Sequence, residues 1–135
     1  MIVKAAAKIN LMLDVVGKLP NGYHSLFMIM QSVSCYDTVR VDRTGENGIK
    51  IISSDERVPK DEKNIAYKAA EAFFDYAGIS DRGIEIEIGK KIPMAAGLAG
   101  GSADGAGVLY ILNKLYKTSF DEFTLCSIGE KVGAD

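Results

Sequence analysis

The sequence predicts an α+β or mixed α/β domain, with strands first, then a helix, a strand, a glycine-rich loop and two further helices. Three observations carry that reading. Short apolar or alternating runs, separated by Gly, Pro and Asn, fill residues 2–53. A run of helical period follows over 64–77. Then the alternating stretch Ile84-Glu85-Ile86-Glu87-Ile88 leads through a small-residue loop, 93–107, into an apolar helix that runs to Tyr116. This order is not a regular βαβ repeat.

A chain of 135 residues can bury a real core as one domain. Its 47% hydrophobic and 25% charged composition is that of soluble globular proteins. The net charge of −2 and the lack of a Lys/Arg block argue against nucleic acid as a partner. No apolar run is long enough to span a bilayer, and the N-terminus lacks a signal-peptide layout, so no membrane partner is expected. Cys35 and Cys126 lack metal spacing and read as reduced thiols of a cytoplasmic protein.

Leu11-Met12-Leu13-Asp14-Val15-Val16 reads as a buried strand, closed by Gly17 and the turn residues Pro20-Asn21-Gly22. Lys8 and Asn10 share a face, because strand side chains alternate. Lys8 either snorkels from a strand end or reaches an anion. Residues 23–34 form a second strand, which begins with Tyr23 and the sole histidine, His24. Tyr23 stacks a flat ligand or sits at the strand's edge. Residues 37–53 read as a half-exposed hairpin: Val39 and Val41 alternate with Arg40 and Asp42, Gly45-Glu46-Asn47-Gly48 turns, and Ile49, Ile51 and Ile52 return. Residues 54–63 are a polar connection.

In the helix over 64–77, Asn64 is the N-cap and Gly78 the stop. Ile65, Ala69, Ala72, Phe73 and Tyr76 form its apolar stripe, opposite Lys68, Glu71 and Asp75. Glu85 and Glu87 read as the wet face of an amphipathic strand rather than as a metal pair. Lys90 and Lys91 pair with phosphate or solvate the strand end. The helix after the loop has two apolar stripes, one through Ala106, Leu109, Leu112 and Tyr116, the other through Val108, Ile111 and Leu115. It should therefore be buried on more than one side. The last helix spans about 121–132, capped by Ser119 or Asp121.

The loop is Pro93-Met94-Ala95-Ala96-Gly97-Leu98-Ala99-Gly100-Gly101-Ser102. Its glycines allow backbone N–H groups to approach an anion, and the following helix start adds unpaired donors and a positive dipole end. Ser102 caps that helix, or turns its hydroxyl to a phosphate or its metal. The loop lacks the Lys-Ser or Lys-Thr pair of a Walker A loop and the spacing of a dinucleotide fingerprint. The glycines alone fit a phosphate cradle and a tight, closely packed turn equally well.

Ala7-Lys8-Ile9-Asn10-Leu11, Asn21-Gly22-Tyr23-His24, Lys63-Asn64-Ile65, Ile92-Pro93 through Ser102, and Gly133-Ala134-Asp135 stand in a fixed order. That order resembles the GHMP kinase superfamily, and the Lys-Ile-Asn-Leu and Gly-Tyr-His elements resemble its branch that phosphorylates a cytidyl diphosphate alcohol of non-mevalonate isoprenoid synthesis. The resemblance implies a mixed sheet with helices on one face, of the ribosomal protein S5 domain 2-like kind. It also implies ATP with Mg²⁺, the phosphates lying along residues 93–103, including Ala103, with the metal held through those phosphates and Ser102. It makes Lys8 and Asp135 catalytic, places Asn10 near the reacting hydroxyl, and gives Tyr23 and His24 to the cytosine of a small-molecule cytidyl diphosphate substrate. Asn64 and Lys90 fall near the adenosine.

Such chemistry suits these residue types. Asp135 can accept the hydroxyl proton, while Lys8 holds it ionised and stabilises transition-state charge. The sequence departs from the family pattern at Ala103, where a second small hydroxyl residue is commoner, and at Gly105 and Gly107, which cost a helix about 1 kcal/mol each relative to alanine. It also departs in length. Residues 1–135 correspond to the GHMP N-terminal domain, the C-terminal GHMP domain being absent, so the chain alone is expected to be a poor kinase. It is also expected to self-associate through the surface such a domain covers. The alternatives are another GHMP small-molecule kinase, or a non-catalytic nucleotide-binding or assembly module.

Overall fold

The structure, a computed structural model, describes residues 1–133. Its elements are β1 (Ile2–Lys18), β2 (His24–Arg43), β3 (Ile49–Ile52), α1 (Ile65–Ala77), β4 (Ile84–Gly89), α2 (Gly100–Leu115) and α3 (Glu122–Glu130). The strands form one mixed sheet in the order β1-β2-β4-β3. β2 runs antiparallel to β1 and β4, and β3 is parallel to β4.

The expected hairpin over 37–53 is not formed. β2 continues from the preceding strand through Arg43, and β4 lies between it and β3. The reason lies in the turn. Residues 44–48 fold over Gly83, where Thr44 N–H donates to the Gly83 carbonyl at 2.8 Å and Ile84 N–H to that of Gly48 at 3.0 Å. A Cβ on Gly83 would sit 2.5 Å from the Glu46 carbonyl oxygen, so only glycine admits this closure. The gap it leaves is filled by β4 after the α1 crossover, a parallel β3-α1-β4 unit. Val39 and Val41 are accordingly fully buried rather than half-exposed.

One sheet face carries the core: Ala5, Ala7, Val39, Val41, Ile51, Ile84, Ile86 and Ile88 are all buried. The other is wet and holds the Lys50–Glu85 pair at 3.0 Å. β4 thus keeps the alternation its sequence predicts. The expected buried strand at 11–16 is instead exposed, with Leu11 63% and Val16 59% accessible. β4 pairs with β2 only from Thr38 to Arg43, so the distal parts of β1 and β2 leave the sheet as a two-stranded ribbon.

α1 has its expected ends. Asn64 Oδ1 accepts the Ala66 N–H at 2.9 Å, and Gly78 stops the helix at φ 65°. Its buried face is rotated from the predicted stripe: Ala66, Ala69, Ala70, Phe73 and Phe74 are buried, and Tyr76 is 51% exposed. Two neighbours set this. Phe73 and Phe74 make edge contacts with Phe120 and Tyr116, at 5.8 and 5.3 Å between centroids.

α2 is buried on more than one side as expected, although Ala106 is exposed. Gly105 and Gly107, costly for an isolated helix, have a packing role. A Cβ at 105 would lie 3.0 Å from Ile65 Cγ2, and one at 107 would lie 3.1 Å from Val3 Cγ2. They let α2 lie close against α1 and the sheet. α3 is capped by Asp121, whose carboxylate accepts the Thr124 N–H at 2.9 Å, and not by Ser119. No helix among the described residues is long and apolar enough to cross a membrane.

Candidate functional site

Between β4 and α2 the backbone turns left-handed at every second residue: Ala95 (φ 56°), Gly97 (φ 73°) and Ala99 (φ 58°). Such alternation curls successive N–H groups into a concavity suited to anions. It is also strained at the alanines, by about 1–2 kcal/mol each. From Met94 through Ser102 no backbone N–H finds an acceptor among the described residues; the first bond across the helix start is Ala103 N–H to the Ala99 carbonyl, 2.9 Å. Apart from Met94, Leu98 and Ser102 the stretch is glycine and alanine, whose side chains cannot cover these donors.

Ser102 does not cap α2. The N-cap is Ala99, without a side-chain bond, and Ser102 is the third helical residue. Its hydroxyl makes no hydrogen bond among the described residues and faces the same cleft as residues 93–101. That cleft, about 350 Å³, also takes in Lys63, Asn64 and Ile65 at the start of α1, with Lys90 and Asp104 in its wall. Two helix N-termini therefore converge on it. Asn64 uses both ends of its amide structurally, since its Nδ2 donates to the Pro59 carbonyl at 2.8 Å, and it still forms part of the wall.

Lys8 is not at a strand end. It lies half-buried inside β1, just past a register shift, and its backbone N–H donates to the Leu98 carbonyl at 3.1 Å. Its ammonium, as the shared face requires, reaches Asn10 Oδ1 at 3.3 Å. Lys8 is thus held beside the loop by its main chain, and the exposed Asn10 is joined to it through the Lys8 ammonium. Tyr23 and His24 are not brought there. They sit at the ribbon's turn, where Lys18 pairs with His24, roughly 30 Å of strand from Lys8. Asp135 lies outside the described residues, and Ala103 lies within α2, away from the cleft lining.

Lys90 does not solvate the strand end. Its side chain is 8% exposed, and its ammonium lies between the Asp37 carboxylate and Asp104 Oδ2, the latter at 2.9 Å. Asp37, fully buried, also accepts the N–H groups of Lys91 at 2.6 Å and Ile92 at 2.8 Å. Burial pushes the Asp37 carboxyl up, but the Lys90 ammonium and these two N–H groups outweigh it and hold it below the usual range. Burial dominates at Asp104, pushing it up to about 6 despite Lys90. Asp104 Oδ1 is buried with no partner among the described residues. Burial opposes the charge of Lys90, yet the two carboxylates raise its pKa above the ordinary value.

Sequence reasoning missed Asp37 and Asp104. A signal existed for Asp104, which precedes buried Val108, Ile111 and Leu112 by four, seven and eight residues on the inner face of α2. Among the described residues no group of three His, Cys, Asp or Glu side chains could hold a metal.

The GHMP kinases N terminal domain family matches residues 64–135. The 4-diphosphocytidyl-2-C-methyl-D-erythritol kinase of Clostridium acetobutylicum is 51% identical over 135 residues, 100% of this chain and 48% of that protein. That of Clostridium beijerinckii is 47% identical over the same span, 100% of this chain and 48% of its own. A crystal structure of 4-(cytidine 5'-diphospho)-2C-methyl-D-erythritol kinase superposes with a TM-score of 0.79 at 36% identity, covering 100% of this chain and 47% of that one. The chain spans about half the length of the curated relatives it matches.

Proposed function

The chain belongs to the GHMP kinase family, and from that premise we propose that it is the ATP-binding part, residues 1–135, of a 4-diphosphocytidyl-2-C-methyl-D-erythritol kinase. The reaction is phosphorylation of the substrate's 2-hydroxyl at the expense of ATP, in non-mevalonate isoprenoid biosynthesis in the cytoplasm. The observation that carries this reading is the row of N–H groups from Met94 through Ser102 that find no acceptor among the described residues, with Lys8 bonded to the same loop at Leu98.

The residues present suit ATP with Mg²⁺. Free N–H groups from 94 to 102 would donate to phosphate oxygens, with the positive ends of two helices behind them. Asn64, Lys90 and Pro93 would line the nucleoside end. The unbonded Ser102 hydroxyl suits a phosphate or the metal, and with no three-residue ligand group among the described residues, the ion would be held mainly by phosphate oxygens. When bound, Mg·ATP supplies the phosphoryl group and cationic charge.

Lys8, on a strand rather than a mobile loop, would stabilise the charge that develops on transfer. Asn10 would hold the acceptor hydroxyl and Asp135 would accept its proton. Tyr23 and His24 would take the cytosine, with the acceptor side completed by a second GHMP domain.

Isothermal titration of Mg·ATP into this chain tests the cradle. Phosphoryl transfer to the cytidyl substrate, against homoserine and mevalonate, tests the acceptor in a protein of the relatives' length. ATP binding with transfer only to another acceptor would move the assignment within the family.

The exposed ribbon supports self-association. Leu13–Met28 and Val15–Leu26 pair on one face, and Met12–Ile29 and Asp14–Phe27 on the other, so both faces offer apolar side chains to solvent. A two-stranded ribbon is marginal in water unless covered.

A further inference from the structure

We propose that the Lys90 ammonium is a staple fixing both ends of the glycine loop to β2, and that Asp37 and Asp104 are positioning residues for nucleotide binding. The proposal rests on the loop being the nucleotide site. Between residues 93 and 99 the loop has little support of its own: among the described residues its backbone makes only the Lys8–Leu98 bond and the Ala99–Ala103 bond. Its geometry must therefore be imposed from the ends.

Asp37 supplies that constraint at the start of the loop. One oxygen accepts the N–H groups of Lys91 and Ile92, and the other takes the ammonium of Lys90. The same ammonium then reaches across to Asp104 on α2, beyond the loop's far end. Gly100 closes the arrangement, since a Cβ there would lie 3.2 Å from Lys90 Nζ. The helix start thus rests on the ammonium, and three segments distant in sequence meet at one nitrogen. Asp37 is fully buried and does not line the cleft, so it acts on a ligand only through the loop.

Asp37→Asn gives a test whose sign decides. The amide keeps an acceptor for the two N–H groups but loosens the ammonium. If Lys90 served mainly as a charge for the nucleotide, releasing it would strengthen ATP binding. If it is a staple, binding of Mg·ATP weakens about tenfold or more and the protein stays folded.

Backbone ¹⁵N relaxation of residues 94–102 in the unliganded chain reads the staple independently of ATP. Order parameters near 0.85 should fall below about 0.6 in the variant. Should Asp37→Asn fail to fold, Asp104→Asn carries the relaxation measurement, because Asp104 stands in the cleft wall and its charge would act on ATP directly. Unchanged order parameters in a folded variant, or equal or tighter ATP binding by folded Asp37→Asn, overturn the proposal. Failure of the wild-type chain to bind ATP, with order parameters that do fall, instead overturns the nucleotide reading and leaves the staple standing.

Discussion

The Lys8 backbone N–H donates to the Leu98 carbonyl at 3.1 Å, so the strand carrying the proposed catalytic ammonium is tied to the loop through main-chain atoms alone. Lys8→Ala leaves that bond in place. In a protein of the relatives' length, turnover should fall by about 10² or more while the melting temperature moves by only a few degrees. Thermal melts beside initial rates check this, and activity retained alongside lost stability would make Lys8 structural.

Gly100→Val should abolish the ATP-dependent hydrogen-exchange protection of residues 97–102. The added Cβ alone would meet Ile92 Cγ2 at 3.0 Å and Lys90 Nζ at 3.2 Å, displacing the helix start from the loop. Protection equal to wild type would mean the cradle reading is wrong.

The left-handed alanines predict an opposite pair of stability effects. Ala99→Gly relieves strain and should stabilise by about 0.5–1 kcal/mol, after the entropy that glycine adds to the unfolded chain. Gly97→Ala has free space around its Cβ, yet φ 73° should make it cost about 1–2 kcal/mol. Urea denaturation of both variants measures the difference, and like signs would show that φ is not what matters here.

Asp104 sets a pH dependence. Its folded-state pKa, about 6, lies above the ordinary 3.8, so its stabilising contribution is complete below 3.8 and lost as pH rises through 6. Asp37 titrates below that window and Lys90 above it. Asp104→Asn should therefore gain stability relative to wild type between about pH 4 and pH 7, by on the order of 2 kcal/mol. Denaturant midpoints across that range read it; an offset independent of pH would show that Asp104 does not titrate there.

Phe27→Glu with Leu13→Lys places a charge on each face of the ribbon. If the wild-type chain self-associates through this ribbon, its mass by light scattering should rise with concentration, and the double variant should lower that rise. A wild-type chain that stays monomeric at high concentration would count against self-association through this surface.

Local signals in the sequence translated well where one element could satisfy itself. Asn64 and Gly78 bound α1, Asp121 caps α3, and Ile84, Ile86 and Ile88 turn inward. The failures have a common cause in distant partners. Nothing near Val39 announces that β4, forty-odd residues on, will pair where Ile51 was expected. The apolar run at 11–16 reads as buried because periodicity cannot tell what covers a strand. Lys90 looked like a solvated or phosphate-bound lysine because its counter-ions come from β2 and α2. The glycines left a cradle and a tight turn equally open, and the left-handed alanines were not legible, since alanine rarely adopts that geometry.

The central position of β4 has a kinetic consequence. β1 and β2 can zip from their own turn, but the sheet stays in two pieces until residues 44–83 close and bring Gly89 to Thr38. Closure of a long segment before any pairing rewards it is slow. In that interval the 38–43 edge of β2 and the whole of β3 stand open to strands of other chains. Refolding yield should therefore depend on protein concentration during β4 insertion, the interval in which a chaperone would help most.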